Sequence, residues 1–177
     1  MIVYGRHPVL VDASVLAKFL VVRRGDLLSK HPRYFFLVTS HIHRQFRDCY
    51  PDHCDSLADT IEGNHVESIE SNTTEELQIF ARLLDSRTFG AAECAAVATA
   101  HCRCWPLAIE DSSIAALAKS LQLSLSIENT DTLLVDLVNS GAIQRSAADQ
   151  FKKNWEEHDS SWPQPHLADY SVNAQQN

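Results

Sequence analysis

The spacing of hydrophobic and polar positions changes period several times along the chain, and each change marks an element. Val9-Leu10-Val11 is a short apolar run closed by Asp12, and Val15, Leu16, Phe19 and Leu20 follow behind Ser14 at helical spacing. Strand, turn and helix are expected there. Tyr34 to Val38 is a second apolar run, after which Thr39-Ser40 precedes a helix carrying Ile42, Phe46 and Cys49 on one face. Residues 51–65 are polar and hold one more short helical pattern.

Val66 to Ile69 reads as a strand, Ser71 to Thr74 as a cap region and Glu75 to Leu84 as a helix. Gly90 breaks the pattern. Ala91 to His101 has Ala or Val at seven of eleven positions, the composition of a closely packed helix. Leu107-Ala108-Ile109 is a buried strand ending in Glu110-Asp111, and Ser112-Ser113 opens a helix from Ile114 to Leu121. Leu123 to Ile127 is expected as the last strand, with a helix from Thr130 to Ser140 stopped by Gly141. Strand and helix alternate throughout, which selects an α/β architecture with a mainly parallel sheet. An amphipathic helix from Ser146 to His158 follows, and residues 159–177, with Trp162, Pro163 and Pro165, read as a loosely ordered tail. The expected division is therefore a domain over 1–145 and a C-terminal helix and tail over 146–177.

Composition narrows the function. The chain has 177 residues, within the roughly 100 to 200 of a single domain. Fifteen Lys and Arg against 23 Asp and Glu give a net charge of −8, and no basic run exceeds a pair. Non-specific coating of duplex DNA is excluded by that balance, because it depends on many cations displacing phosphate counterions. The acid excess either keeps the protein soluble or gathers where a metal ion offsets the repulsion. No run of 18 apolar residues exists, so neither a membrane span nor a secretory signal fits. Five cysteines, an odd count, point to free thiols and a cytoplasmic setting.

In a parallel α/β sheet, sites form outside the carboxyl ends of the strands. Asp12 closes the first strand, Glu110 and Asp111 close the strand after the Ala-rich helix, and Glu93 lies in that helix's first turn. Converging carboxylates repel unless protonated or bridged, and a hard cation such as Mg²⁺ or Mn²⁺ resolves the repulsion. The chemistry that follows is metal-assisted attack of water on a phosphodiester. Ser14 either caps the first helix or orients a carboxylate. Spacing alone leaves a plainer reading open, since acids at strand ends and helix starts also serve turns and helix dipoles.

Four segments in order resemble those of PIN-domain nucleases. Val-Asp-Ala-Ser-Val-Leu-Ala-Lys at 11–18 is similar to their opening motif, and Gly90-Ala-Ala-Glu-Cys-Ala-Ala-Val-Ala-Thr-Ala100 to their Gly-x-Gly-Glu-x-x-Ala-Ile-x-x-Ala helix. Leu107-Ala-Ile-Glu-Asp111, followed by Ala115 and Ala118, resembles their strand with a terminal acidic pair, and residues 126–143 their closing strand and helix. The resemblance implies a PIN-like three-layer α/β/α sandwich with a mainly parallel central sheet. It also implies a Mg²⁺- or Mn²⁺-dependent ribonuclease with RNA as substrate, of the kind often held as a toxin by an antitoxin protein and often homodimeric. By position, Asp12, Glu93 and Asp111 are its metal-site acids, with Glu110 beside them.

One position departs from the pattern. The family usually carries Glu in the helix after the second strand, where this chain has Gln45. Either the Gln45 amide holds a metal-bound water, or Asp48, one turn on, leans in, or the site is weakened and the protein acts by binding a partner. The His41, His43, His53, Cys49 and Cys54 group and the His101, Cys102 and Cys104 group lack the paired spacing of zinc sites. Cys94 reads as packing, and Trp155, four residues after Phe151, as either core or a partner groove. No glycine-rich phosphate loop follows any strand.

Overall fold

A computed structural model describes residues 5–87 and 89–159. Five parallel strands form one sheet in the order β3-β2-β1-β4-β5. They are β1 (His7–Val11), β2 (Tyr34–Thr39), β3 (Val66–Ile69), β4 (Leu107–Ala108) and β5 (Ile127–Glu128). The helices are α1 (Ala13–Val21), α2 (Asp26–Ser29), α3 (Ile42–Cys49), α4 (Cys54–Glu62), α5 (Thr74–Asp85), α6 (Ala91–Arg103), α7 (Ser112–Ser120), α8 (Thr130–Asn139) and α9 (Arg145–Asp159). A single 3-10 turn, Pro51–His53, joins α3 to α4.

The side-chain alternation of a strand divides the core into two layers. In β1, Val9 and Val11 face one layer with Phe19, Phe36, Phe46, Leu133 and Trp155, while Leu10 faces the other with Leu37, Val97, Leu107 and Ile114. β1 is therefore covered on both sides, and Val9 and Leu10 are wholly buried. Helices α1, α8 and α9 contribute to the first layer and α5, α6 and α7 to the second. This is the expected three-layer α/β/α sandwich, with every strand parallel.

Alanines let α6 lie close to the sheet and to α5, since Ala95, Ala98 and Ala100 are buried to 1 % exposure or less. Burial of Glu76 on α5 is made possible by Arg103, whose Nε donates to Glu76 Oε1 at 2.6 Å, while the same carboxylate caps α5 through Asn72 N and Thr73 N. The α9 helix is bound into the first layer through Ala148, Phe151 and Trp155. The Trp155 indole N–H donates to the Lys18 carbonyl at 2.7 Å, and the ring meets Phe19 edge-on. Core packing, rather than a groove, is the role of Trp155.

Two boundaries differ from expectation. The fifth strand is Ile127–Glu128, not Leu123 to Ile127, because Leu123 N is used to close α7 by donating to Ala118 O and the chain joins the sheet only at its end. Asp12, not Ser14, caps α1, since its carboxylate accepts from Ser14 N. The last helix runs through Asp159, and residues 160–177, including Trp162, Pro163 and Pro165, lie outside the described residues. Among the described residues no helix is long and apolar enough to cross a membrane.

Candidate active site

Each of the three acids stands where the chain enters a helix. Asp12 follows β1 and is the N-cap of α1, Glu93 is the third residue of α6, and Asp111 is the N-cap of α7. Unpaired N–H groups at helix starts favour negative charge, so each carboxylate has a local reason for its position. The turn-and-dipole reading of these residues holds in every case.

Asp12 is the centre of the arrangement. Its N–H donates to Ala108 O at 2.9 Å, tying it to β4, and its Oδ2 accepts from Ser14 N at 3.0 Å and Ser14 Oγ at 2.8 Å. Ser14 thus orients a carboxylate, one of its two expected roles. The other oxygen, Asp12 Oδ1, is buried without a hydrogen-bond donor, although the residue is only 3 % exposed. Burial pushes the Asp12 carboxyl above its usual range, against the lowering effect of Ser14, and Asp111 adds to the rise.

Glu93 is 8 % exposed and its Oε2 accepts from Gly90 N at 2.8 Å. Burial, followed by the Asp12 and Asp111 charges, raises it from 4.5 to about 7. Asp111 is exposed, and its Oδ1 accepts from Ser113 N at 2.8 Å. Asp12 and Asp111, far apart in sequence, both raise Glu93, so the three acids lie within electrostatic reach of one another at the carboxyl edge of the sheet.

Glu110 is directed elsewhere. Its Oε2 pairs with Lys18 Nζ at 2.7 Å, and its Oε1 accepts from Thr130 N at 2.9 Å and from Thr130 Oγ1. Those contacts lower its pKa against the burial that would raise it, and they tie α1, the end of β4 and the start of α8 together. Asp48 does not lean in. It is exposed and faces Arg44 at 3.6 Å. Gln45 is half-buried, and its Oε1 is buried with no donor.

Two groups at the end of α3 share the electrostatic surroundings of these acids. Burial raises the pKa of Cys49, with Asp48, Glu93 and Asp12 adding to the rise, and burial raises Tyr50 far above the usual phenol range, with Asp12 adding to it. Both close α3, and the signal that would have found Cys49 is its position four residues after Gln45, on the same helix face.

Orphaned acceptors, buried carboxylates and hard oxygen donors are the chemistry a divalent cation satisfies. Asp12, Glu93 and Asp111 fit such an ion in donor type and charge. As the side chains stand, no group of three or more His, Cys, Asp or Glu among the described residues encloses a metal position. A hollow of about 340 Å³ between α7 and β5, lined by Ala115, Ala118, Leu123 and Ile127 among others, contains none of these acids.

No protein-family model matches the chain, and no curated protein matches it in sequence. Among solved structures it is similar to the crystal structure of VapBC2 from Rickettsia felis bound to a DNA fragment from their promoter. The two share 11% sequence identity at a TM-score of 0.48, over 70% of this chain and 98% of that one.

Proposed function

We propose that this chain is a divalent-metal-dependent ribonuclease in which Asp12, Glu93 and Asp111 hold Mg²⁺ or Mn²⁺. The observation that carries the reading is Asp12 Oδ1, a carboxylate oxygen buried without a donor in a residue 3 % exposed, with a second buried carboxylate, Glu93, whose pKa Asp12 raises. A buried acceptor left unpaired costs roughly 1–3 kcal/mol, and more when charged, so a chain that keeps one at a converging set of acids gains from a cation there. The resemblance of residues 9–143 to PIN-domain nucleases supplies the substrate class, RNA, and an antitoxin as the natural inhibitor.

When bound, such a cation supplies Lewis-acid polarisation of a phosphodiester and promotes attack by water. The chain's own residues prepare for that. Ser14 fixes Asp12 through one oxygen and leaves the other to the pocket. Gly90 N fixes one oxygen of Glu93, and Ser113 N fixes one oxygen of Asp111, so each of the three carboxylates is oriented through one oxygen from a helix start. Gln45 offers a neutral oxygen where a fourth carboxylate would add repulsion.

The test is cleavage of a mixed single-stranded RNA pool with and without Mn²⁺, alongside thermal unfolding. Mn²⁺-dependent cleavage lost in Asp12→Asn supports the reading, and intact RNA at large enzyme excess overturns it. A second reading, a partner-binding module with a weakened site, is favoured by the neutral Gln45 and by the absence of a closed ligand group among the described residues. It requires that Mn²⁺ leave the melting temperature where ionic strength alone puts it.

A further inference from the structure

We propose that His31 is an acid-released pin at the start of β2: a proton taken up by its ring ejects the ring from the Arg33 and Tyr34 amides and turns it toward Asp136 on α8. His31 stands between α2 and β2, and Pro32, which follows it, has its φ preset for a turn. Proline has no N–H, so the next two donors along the chain are those of Arg33 and Tyr34, and both aim at one atom. Arg33 N donates to His31 Nδ1 at 3.3 Å, and Tyr34 N donates to it at 3.1 Å. A histidine thereby takes the place that Asn or Asp holds in an Asx turn. An Nδ1 that accepts twice carries no proton, so the neutral ring holds its proton on Nε2. That Nε2 is buried, in a residue 1 % exposed, and has no hydrogen-bond partner.

The neighbours decide what a second proton does. Placed on Nδ1, it faces two N–H groups, and the turn cannot keep both bonds. The new charge finds its partner on the other side of the ring, where Asp136 Oδ2 lies 3.7 Å from Nε2 and is held by Arg33 Nη1 at 2.9 Å. Burial, the largest influence, holds the ring's pKa down at about 4, while Asp136 and Glu128 pull it up and Arg33 pushes it down. Arg6 Nη1 reaches the His31 carbonyl at 3.4 Å, and Lys30, at the end of α2, is paired with Asp26. The Tyr34 ring is stacked on His31 at 5.3 Å, and Phe36 meets it edge-on at 5.4 Å. Release of the pin therefore loosens more than a turn. Tyr34 Oη donates to Glu128 Oε1 at 2.6 Å, Arg33 bridges Glu128 and Asp136, and Arg33 O accepts from His7 N of β1 at 2.8 Å. The first register of β2, the end of β5 and α8 share one joint.

The test is imidazole nitrogen spectroscopy and amide exchange on the full-length protein. At neutral pH the His31 ring should show a bare Nδ1 and a protonated Nε2, and a proton on Nδ1 overturns the proposal without recourse to any variant. The released ring takes a proton at its ordinary 6.5 and the pinned ring only at about 4. Between about pH 6.5 and about pH 5, protection of the Arg33 and Tyr34 amides, corrected for intrinsic exchange, should therefore fall about tenfold. His31→Asn offers the same two amides an oxygen that does not titrate, so its protection should stay level over that range. Equal loss in wild type and His31→Asn overturns the proposal. So does a loss of the same size at the buried Leu10 amide of β1, which would make the event global unfolding. Asp136→Asn should move the wild-type loss to lower pH, and a loss that stays in place overturns the transfer to α8.

Discussion

At the residue scale, pH separates groups whose shifts have opposite signs. Glu93, raised to about 7, stays protonated in the native state where the unfolded chain has lost the proton, so its contribution to stability falls as pH rises from about 4.5 to 7. His31, 1 % exposed and lowered by burial to about 4, stays neutral where the unfolded chain is protonated. Its contribution is complete above 6.5 and is lost as pH falls toward 4. The two slopes oppose one another between about 4.5 and 6.5. In EDTA, Glu93→Gln should therefore lose more stability than wild type between pH 7 and pH 4.5, read from urea midpoints; a parallel pair of curves would place the titrating proton on another group. Asp12→Asn removes a buried charge, so the metal-free variant is expected to melt higher than wild type at neutral pH. Its Mn²⁺ response should vanish. On the proposed function, Mn²⁺ at a hundred times its Kd should stabilise the wild type by about 2.7 kcal/mol, which for a chain of this size is a rise in Tm of about 5–10 °C.

Sequence made the three acids legible because strand-end and helix-start positions can be read from periodicity. It did not make the direction of a side chain legible. Glu110 and Asp111 are adjacent, yet one is taken by Lys18 and Thr130 while the other accepts from Ser113 N and raises Glu93 electrostatically. That difference depends on partners 92 and 20 residues away from Glu110, which no local pattern records.

At the scale of elements, the long helices and the first four strands were readable, and the place of the fifth strand was not. Strand β4 is two residues long and β5 is two residues long, so most of their identity comes from pairing with β1 and with each other. Helix ends were obscure because the usual glycine signal is replaced. Arg23, Asn64, Arg87, Cys104 and Gln122 all adopt positive φ at or just past helix ends. A side chain in that region costs roughly 1–2 kcal/mol, which glycine avoids. Gln122 is exposed, so Gln122→Gly should stabilise the protein by up to about 1 kcal/mol, seen as a higher urea midpoint at unchanged m. The Arg103–Glu76 pair makes the opposite case. Arg103→Ala leaves a carboxylate of 1 % exposure without its cation and is expected to cost about 3–5 kcal/mol, whereas replacing Glu76 and Arg103 together by apolar residues should recover much of it. Equal losses in the single and double variants would show that the pair contributes packing rather than charge.

At the scale of the whole molecule, alternation of strands and helices was sufficient for the parallel three-layer architecture. The boundary at residue 145 is where the sequence separates a domain from an extension, and across it Phe151 and Trp155 enter the same core layer as β1 and α1. Trp155→Ala should cost about 3–5 kcal/mol by loss of a large buried ring, and removal of residues 145–177 should cost more. Cooperative unfolding of the shortened chain at the wild-type temperature would show that the first layer closes without α9.

The indole of Trp155 grips the carbonyl of Lys18 across 137 residues, on the helix that begins at Asp12. During synthesis every acid of the pocket therefore exists long before the packing that steadies it. A ribosome-bound chain that has emerged only as far as Asp111 carries all three carboxylates on an unfinished scaffold. Translation itself then delays the moment at which the three carboxylates are held in their final places.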